Sequence, residues 1–344
     1  MSDALTWAEA RCSPCRSCAA PCCTVLPLYD FAVRSLPDLD YALYLLNFDH
    51  IELALMEDGK WRAHYRAPCR NLDLETRGCR VHGTADQPAV CQKYDAHACF
   101  YRPIFSESGY GRMVRMDRGR VEAWAEGCRF NDLRELVAAP PHDSLLDWLP
   151  PMAPVPDSAT PPELPPDPVM DAWRAQARGE STPEPAAPRS WAELRQPCDG
   201  CAAWCCSHLS FPHGAPQNAS QLDHLRFALG FPGVEVGVDA AGNWTLEVHA
   251  RCRHLVDTVS GGRCRVFGQE ERPGVCRRYD ALSCAYRGRL SRPRPPGAAR
   301  VTADAFDAVA AGFSFDAGGA VVRRPELPEI VARVEAAWAA TDPA

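Results

Sequence analysis

No run in this 344-residue chain approaches the roughly 20 apolar residues that a membrane-spanning helix requires, so no helical span is expected. The opening stretch, Met1-Ser2-Asp3-Ala4-Leu5-Thr6-Trp7-Ala8-Glu9, lacks the basic and apolar regions of a secretory signal, and a cytoplasmic location is expected. Positive charge is in deficit: 37 Lys and Arg stand against 44 Asp and Glu, a formal net charge of −7. Without a basic excess there is little to neutralise phosphates, so neither nucleic acid nor a membrane surface is expected as a partner. A G-x-S-x-G elbow, a Walker loop and a dinucleotide fingerprint are all missing, and no catalytic residue is nominated.

What the chain has in excess is cysteine, 18 residues, and proline, 32. In a reducing compartment thiols stay reduced, so a disulfide framework is disfavoured and metal ligation becomes the leading explanation. Shifting the sequence by 183 residues lays Cys15, Cys18, Cys22, Cys23 and Cys69 on Cys198, Cys201, Cys205, Cys206 and Cys252. A two-residue insertion near Ser260-Gly261-Gly262 then brings Cys79, Cys91 and Cys99 onto Cys264, Cys276 and Cys284. Leu39-Asp40, Phe48, Gly59, Trp61 and Tyr94-Asp95 likewise fall on Leu222-Asp223, Phe231, Gly242, Trp244 and Tyr279-Asp280. The pattern reads as an internal duplication, with a period too long for a solenoid, so each copy is expected to be a domain with its own core.

The expected class is α+β: two homologous, small, cysteine-rich and metal-organised modules joined by a proline-rich linker. The first module is placed at 6–138, the linker at 139–189 and the second module, with a C-terminal helix, at 190–344. Thr6-Trp7-Ala8-Glu9 and Ser190-Trp191-Ala192-Glu193 carry capping-box signals for short helices before the first cysteines. Leu39, Leu43 and Leu46, like Leu222, Leu225 and Leu229, recur at helical spacing. Asp58-Gly59 and Gly242-Asn243 supply turn chemistry for two-stranded hairpins spanning 52–65 and 235–248. Proline pairs such as Pro140-Pro141 and Pro161-Pro162 predict an extended linker, with a short helix near Met170–Ala177. Ile330, Val331, Val334 and Trp338 predict a helix in the tail.

In Cys15-x-x-Cys18-x-x-x-Cys22-Cys23 the first three thiols would share one stripe of a helix, although Pro21 argues against an unbroken one. Adjacent Cys22 and Cys23 are expected to point apart and serve two metals, or one metal and the core. Eight thiols per module suffice for two Cys₄ zinc sites, or for an iron–sulfur cluster with thiols to spare. None of the ten histidines recurs in register, which favours all-thiolate sites. His64, His208 and His249 read as surface or hairpin residues. Arg70, Arg80, Arg253, Arg265 and Arg277 each follow a shared cysteine and are expected to offset thiolate charge. Cys12 and Cys128 have no counterpart and read as small buried hydrophobes.

The Cys-x-x-Cys-x-x-x-Cys-Cys block, the distant Cys-Arg-x-Leu and the segment Arg272-Pro273-x-x-Cys276-Arg277-x-Tyr279 together resemble the YkgJ-type cysteine-cluster family, described as zinc- or iron-chelating domains. The first module has the variant Gln87-Pro88-x-x-Cys91-Gln92-x-Tyr94. The resemblance covers about 100 residues of each module and implies metal chelation. Asp95 and Asp280 stand where a proline commonly follows the tyrosine in that family. A related cluster occurs in the flagellin lysine N-methylase, which implies that an iron–sulfur-dependent modifying enzyme is one option.

The expected function is therefore binding of zinc or iron, free or as an iron–sulfur cluster, by eight cysteines per module. The alternatives are an iron–sulfur-dependent redox or protein-modifying enzyme and a zinc-stabilised protein-interaction scaffold. A metal ion is the expected partner, and a protein partner is left open.

Overall fold

In a computed structural model, the residues described are 20–94, 99, 101, 113–152, 161–164, 167–180, 203–258, 261–279 and 298–340. The chain is mixed α+β, with helices set against antiparallel sheets. It divides into two units: the first takes the described residues of 1–46, 50–162 and 230–232, and the second those of 47–49, 163–229 and 233–344. The capping-box segments at 6–9 and 190–193 lie outside the described residues.

In the first unit, β1 (Val25–Ala32), α1 (Leu36–Leu45), β2 (Ile51–Met56) and β3 (Lys60–Arg66) follow in succession. The helix starts where Ser35 accepts the Asp38 N–H while the Asp38 carboxylate accepts back from the Ser35 hydroxyl at 2.8 Å, a reciprocal cap. Gly59 sits at φ 77° in the β2–β3 turn, where a left-handed residue matches the twist of the hairpin. Short α2 (Ala89–Gln92), β4 (Met113–Met116), α3 (Arg118–Glu126), β5 (Arg129–Phe130), β6 (Leu136–Ala138) and α4 (Leu145–Trp148) complete the unit. Its main sheet has the order β1-β3-β2-β4.

One face of this sheet is apolar. Leu53 and Leu55 pair with Ala63 and Trp61, and Trp61 meets Trp124 of α3 edge-on at 5.1 Å. Such an aromatic contact adds about 0.5–1.5 kcal/mol beyond its area. The alternate residues Glu52, Arg62, His64 and Arg66 point to the opposite face, yet Glu52 and His64 are buried as well. Both faces of the hairpin are therefore covered.

The second unit begins with α5 (Pro168–Ala177), capped by Asp167, whose Oδ1 accepts the Met170 N–H at 3.1 Å. It continues through β7 (His208–Pro212), α6 (Ala219–Leu229), β8 (Val234–Asp239) and β9 (Trp244–His249). Next come β10 (Leu255–Thr258), β11 (Gly261–Cys264), α7 (Gly274–Arg278) and β12 (Ala298–Val301), then α8 (Phe306–Ala310), β13 (Ser314–Phe315), β14 (Val321–Arg323) and α9 (Leu327–Ala340). The main sheet runs β7-β9-β8-β12, the same strand sequence as the first unit's sheet. Helix α9 buries Ile330, Val334 and Trp338, and Trp338 meets Trp173 of α5 at 4.9 Å with perpendicular rings.

The proline-rich stretch 139–189 is thus not wholly extended. It carries α4 and α5, and Leu145 and Trp173 are buried in the cores of their units. Among the described residues no helix is long and apolar enough to cross a membrane.

Candidate functional site

Two kinds of polar cluster stand out. The first is made of thiols. In the first unit Ala20 adopts the left-handed conformation (φ 52°) and Pro21–Cys23 forms a single 3-10 turn, which delivers Cys22 and Cys23 to the start of β1. The Cys69 N–H donates to the Cys23 carbonyl at 2.7 Å, and Cys79 is bridged to Leu72 three residues beyond Cys69. Cys91 lies in α2, and the Tyr94 hydroxyl donates to Cys99 Sγ at 3.2 Å.

The second unit repeats the construction. Ala203 is left-handed (φ 57°), Trp204–Cys206 forms the 3-10 turn, and the Cys252 N–H donates to the Cys206 carbonyl at 2.7 Å. Cys264 pairs with Leu255 across β10 and β11, and Cys276 lies in α7. Gly262 allows the close approach: a Cβ there would stand 2.8 Å from that of Ala203.

Thiols on these segments act on one another electrostatically. Cys23 is raised first by its bond with Cys22 and by burial, then by the thiols of Cys22, Cys69 and Cys91. Burial raises Cys69, with Cys79 and Cys22 adding to it. In the second unit burial pushes Cys276 up to about 12, helped by Cys205, Cys252 and Cys264, while Cys206 is raised by Cys205, burial, Cys252 and Cys264. Cys22 and Cys205 go the other way, because the neighbouring thiol donates a hydrogen bond that favours their thiolates. In each unit the vicinal thiols thus oppose each other's ionisation.

The cysteines described are free thiols. Cys22, Cys23, Cys69, Cys79, Cys91 and Cys99, and Cys205, Cys206, Cys252, Cys264 and Cys276, lie on these segments, but among the described residues no three of their sulfurs come within 4.8 Å of one another. Cys15, Cys18, Cys198, Cys201 and Cys284 lie outside the described residues, as does Cys12. Cys22 and Cys23 do not diverge: their sulfurs lie 3.9 Å apart. The thiol of Cys128 donates to the Trp124 carbonyl at 3.3 Å, and burial raises it to about 11, as suits a structural cysteine. Arg70 and Arg253 act on Cys69 and Cys252 but are outweighed by burial. The guanidinium that reaches two thiols is Arg272, which lowers both Cys205 and Cys276 and lies 4.4 Å over the Phe267 ring.

The second cluster was missed in the sequence. His208, His249 and Asp167 present ligand atoms all within 4.8 Å of one another. The histidines are not surface residues: His208 and His249 are cross-strand partners on β7 and β9, exposed by 1% and 6%. His64 is fully buried too, on β3. Arg300 on β12 donates from Nε to Glu235 Oε2 at 2.8 Å and from Nη2 to Asp167 Oδ2 at 2.5 Å, with His249 Nε2 3.1 Å from the same Nη2. Burial pushes the Glu235 carboxyl up, but the Arg300 charge and His249 outweigh it and hold the group well below the usual carboxylate range. Burial drives His208 far below the ordinary imidazole value, with His249 and Arg300 acting in the same direction, so it is neutral.

The first unit has the ion pair but not the rest. At the matching register positions Arg115 holds Glu52 with both Nε and Nη2, at 2.5 and 2.7 Å. Val25 and Arg66 stand where the second unit has His208 and His249. Strand alternation at His208 and Ser210, and at Glu247 and His249, was a readable signal of a common polar face. Asp167 left only a helix-start signature, Asp167-Pro168.

Searches against protein-family models, curated proteins and solved structures found no match to this chain.

Proposed function

We propose that the chain is a metal-binding protein in which two homologous modules, joined through the proline-rich stretch, each hold zinc or iron through their shared cysteines. The observation that carries the reading is that thiols from three separate segments in each unit act on one another, with a mutual repulsion that a bound cation would relieve. The ligands proposed are Cys15, Cys18, Cys22, Cys23, Cys69, Cys79, Cys91 and Cys99, and Cys198, Cys201, Cys205, Cys206, Cys252, Cys264, Cys276 and Cys284. The YkgJ-type resemblance and a cytoplasmic setting belong to the same proposal. The parallel 3-10 turns and the equal strand order of the two sheets support duplication.

The protein's own residues prepare such a site in three ways. The left-handed Ala20 and Ala203 each open the 3-10 turn that carries the vicinal cysteines. Tyr94 donates a hydrogen bond to Cys99 Sγ, withdrawing charge from that sulfur, and Arg272 offers positive charge to Cys205 and Cys276. A bound zinc would tie the loops as a structural tetrahedral centre, whereas an iron–sulfur cluster would add one-electron redox capacity.

The test is anaerobic purification followed by quantification of zinc, iron and sulfide and a visible spectrum. Colourless protein with about two to four zinc ions is expected for structural zinc. Brown protein with matched iron and sulfide would assign the clusters as iron–sulfur and bring the enzymatic alternative forward. Folded protein that takes up neither metal would overturn the reading.

A further inference from the structure

We infer that Asp167, His208 and His249 form a second kind of metal site, a mononuclear nitrogen–oxygen site for a divalent first-row ion such as zinc, present in the second unit only. It is independent of the thiol sets. The ligand atoms already lie within 4.8 Å of one another, and a tetrahedral ion would draw them to about 3.3 Å apart, a side-chain adjustment.

One hydrogen-bond arrangement around His208 is ligand-ready. The Ser207 hydroxyl lies 3.4 Å from the carbonyls of Ala203 and Trp204 and 3.0 Å from His208 Nδ1. With its proton on a carbonyl, the Ser207 oxygen accepts from Nδ1–H, and Nε2 keeps a lone pair. That Nε2 is buried without a hydrogen-bond partner and looks at Asp167 Oδ2 across 4.0 Å. In that tautomer two lone pairs face each other across a gap that a cation would bridge. His249 Nε2, 3.1 Å from Arg300 Nη2 and 3.4 Å from Glu235 Oε1, supplies the third donor atom.

Arg300 is the competitor, and the first unit shows how it can yield. Arg115 spends both Nε and Nη2 on Glu52, whereas Arg300 gives only Nε to Glu235 and diverts Nη2 to Asp167 and His249. Turning Arg300 into the two-pronged grip seen at Arg115 releases Asp167 Oδ2 and His249 Nε2 to the metal and leaves Glu235 to neutralise the guanidinium. With Val25 and Arg66 in place of the histidines, the first unit cannot build this site. Two imidazoles and one carboxylate match the preferences of zinc, cobalt(II) and iron(II).

The experiment titrates full-length, metal-stripped protein with cobalt(II) under argon, reading bound cobalt and the absorption spectrum. Cobalt on thiolates gives strong sulfur-to-metal charge-transfer bands, and cobalt on nitrogen and oxygen gives only weak visible bands. The expected result is one cobalt per chain that adds no charge-transfer intensity. His208→Phe abolishes that cobalt and leaves the thiolate bands in place. Asp167→Asn, which keeps the helix cap, weakens it by roughly 100-fold or more. Arg300→Lys, which keeps the charge beside Glu235 but not the fork, tightens it about tenfold, an effect that a purely structural network would not produce. If no cobalt binds outside the charge-transfer bands, or if Arg300→Lys weakens it, the site is a buried ion network and the inference fails. Missing charge-transfer bands would instead strike the thiol reading and leave this one standing.

Discussion

Lowering the pH from 7 to 5 should destabilise the first unit through a single side chain, His64. Its ring is fully buried on the central strand β3, opposite Glu52 in the register. Burial, then the charges of Arg62 and Arg66, depress it from 6.5 to about 3. In the unfolded chain the imidazole takes up its proton near pH 6.5, whereas the native protein takes it up only near pH 3. Between these values the unfolded state binds more protons, so stability is full above pH 6.5 and falls as the pH drops. Each pH unit in that window is worth up to about 1.4 kcal/mol, which gives about 2 kcal/mol at pH 5. The assay is urea unfolding followed by circular dichroism at pH 7, 6 and 5 on the wild type and on His64→Leu. The variant has its own baseline stability, so the quantity read is the difference in pH slope. The wild type should lose about 2 kcal/mol more than the variant on going to pH 5. Equal slopes would refute the argument, since they would mean that the buried imidazole protonates at little cost.

Gly262→Ala should loosen only the second thiol set: the new methyl would stand 2.7 Å from Leu255 and 2.8 Å from Ala203, so the turn carrying Cys205 and Cys206 must shift. The overpacking costs about 1–3 kcal/mol, and metal analysis should show about half the thiol-bound metal lost. Arg272→Gln should raise the pH at which Cys205 and Cys276 of the metal-free protein react with a thiol reagent, because it removes the positive charge that lowers both. The first unit already has neutral Gln87 at that place, so its alkylation profile should not move. Glu52→Gln leaves Arg115 and Arg66 without their carboxylate in a site where the Glu52 side chain is only 6% exposed. Loss of about 3 kcal/mol in urea unfolding is expected, at the lower end for a broken buried pair because Arg115 is partly solvated.

The regular elements were legible because their causes are local. Leu39, Leu222 and their helical repeats mark α1 and α6, and Asp58-Gly59 and Gly242-Asn243 turn the hairpins where the left-handed glycines sit. The geometry at Cys22 and Cys23 was not legible, since it depends on Ala20 in a left-handed conformation that alanine adopts only when surrounding structure imposes it. The buried histidines were hidden for another reason. Polar residues alternating with apolar ones along β7 and β9 read as a solvent-facing row, and only the fold shows that the second face of the sheet is covered. Asp167 is distant in sequence from its partners and lies among prolines, so local pattern had no means of joining it to His208.

The comparison between the two units separates what belongs to the fold from what belongs to chemistry. Glu52 with Arg115 and Glu235 with Arg300 occupy the same register positions, which makes this buried pair a feature of the sheet itself rather than a mark of one site. The pairs Val25 and His208, Arg66 and His249, and Gln87 and Arg272 are where the units part. Each of these differences adds an imidazole or a guanidinium to the second unit, beside its thiols or beside Glu235. The two imidazoles bear on the Asp167 cluster and Arg272 on the thiols, so the differences touch both polar clusters of the second unit. Metal titration of the second unit therefore has a natural control in the first, which keeps the buried ion pair and lacks the added imidazoles.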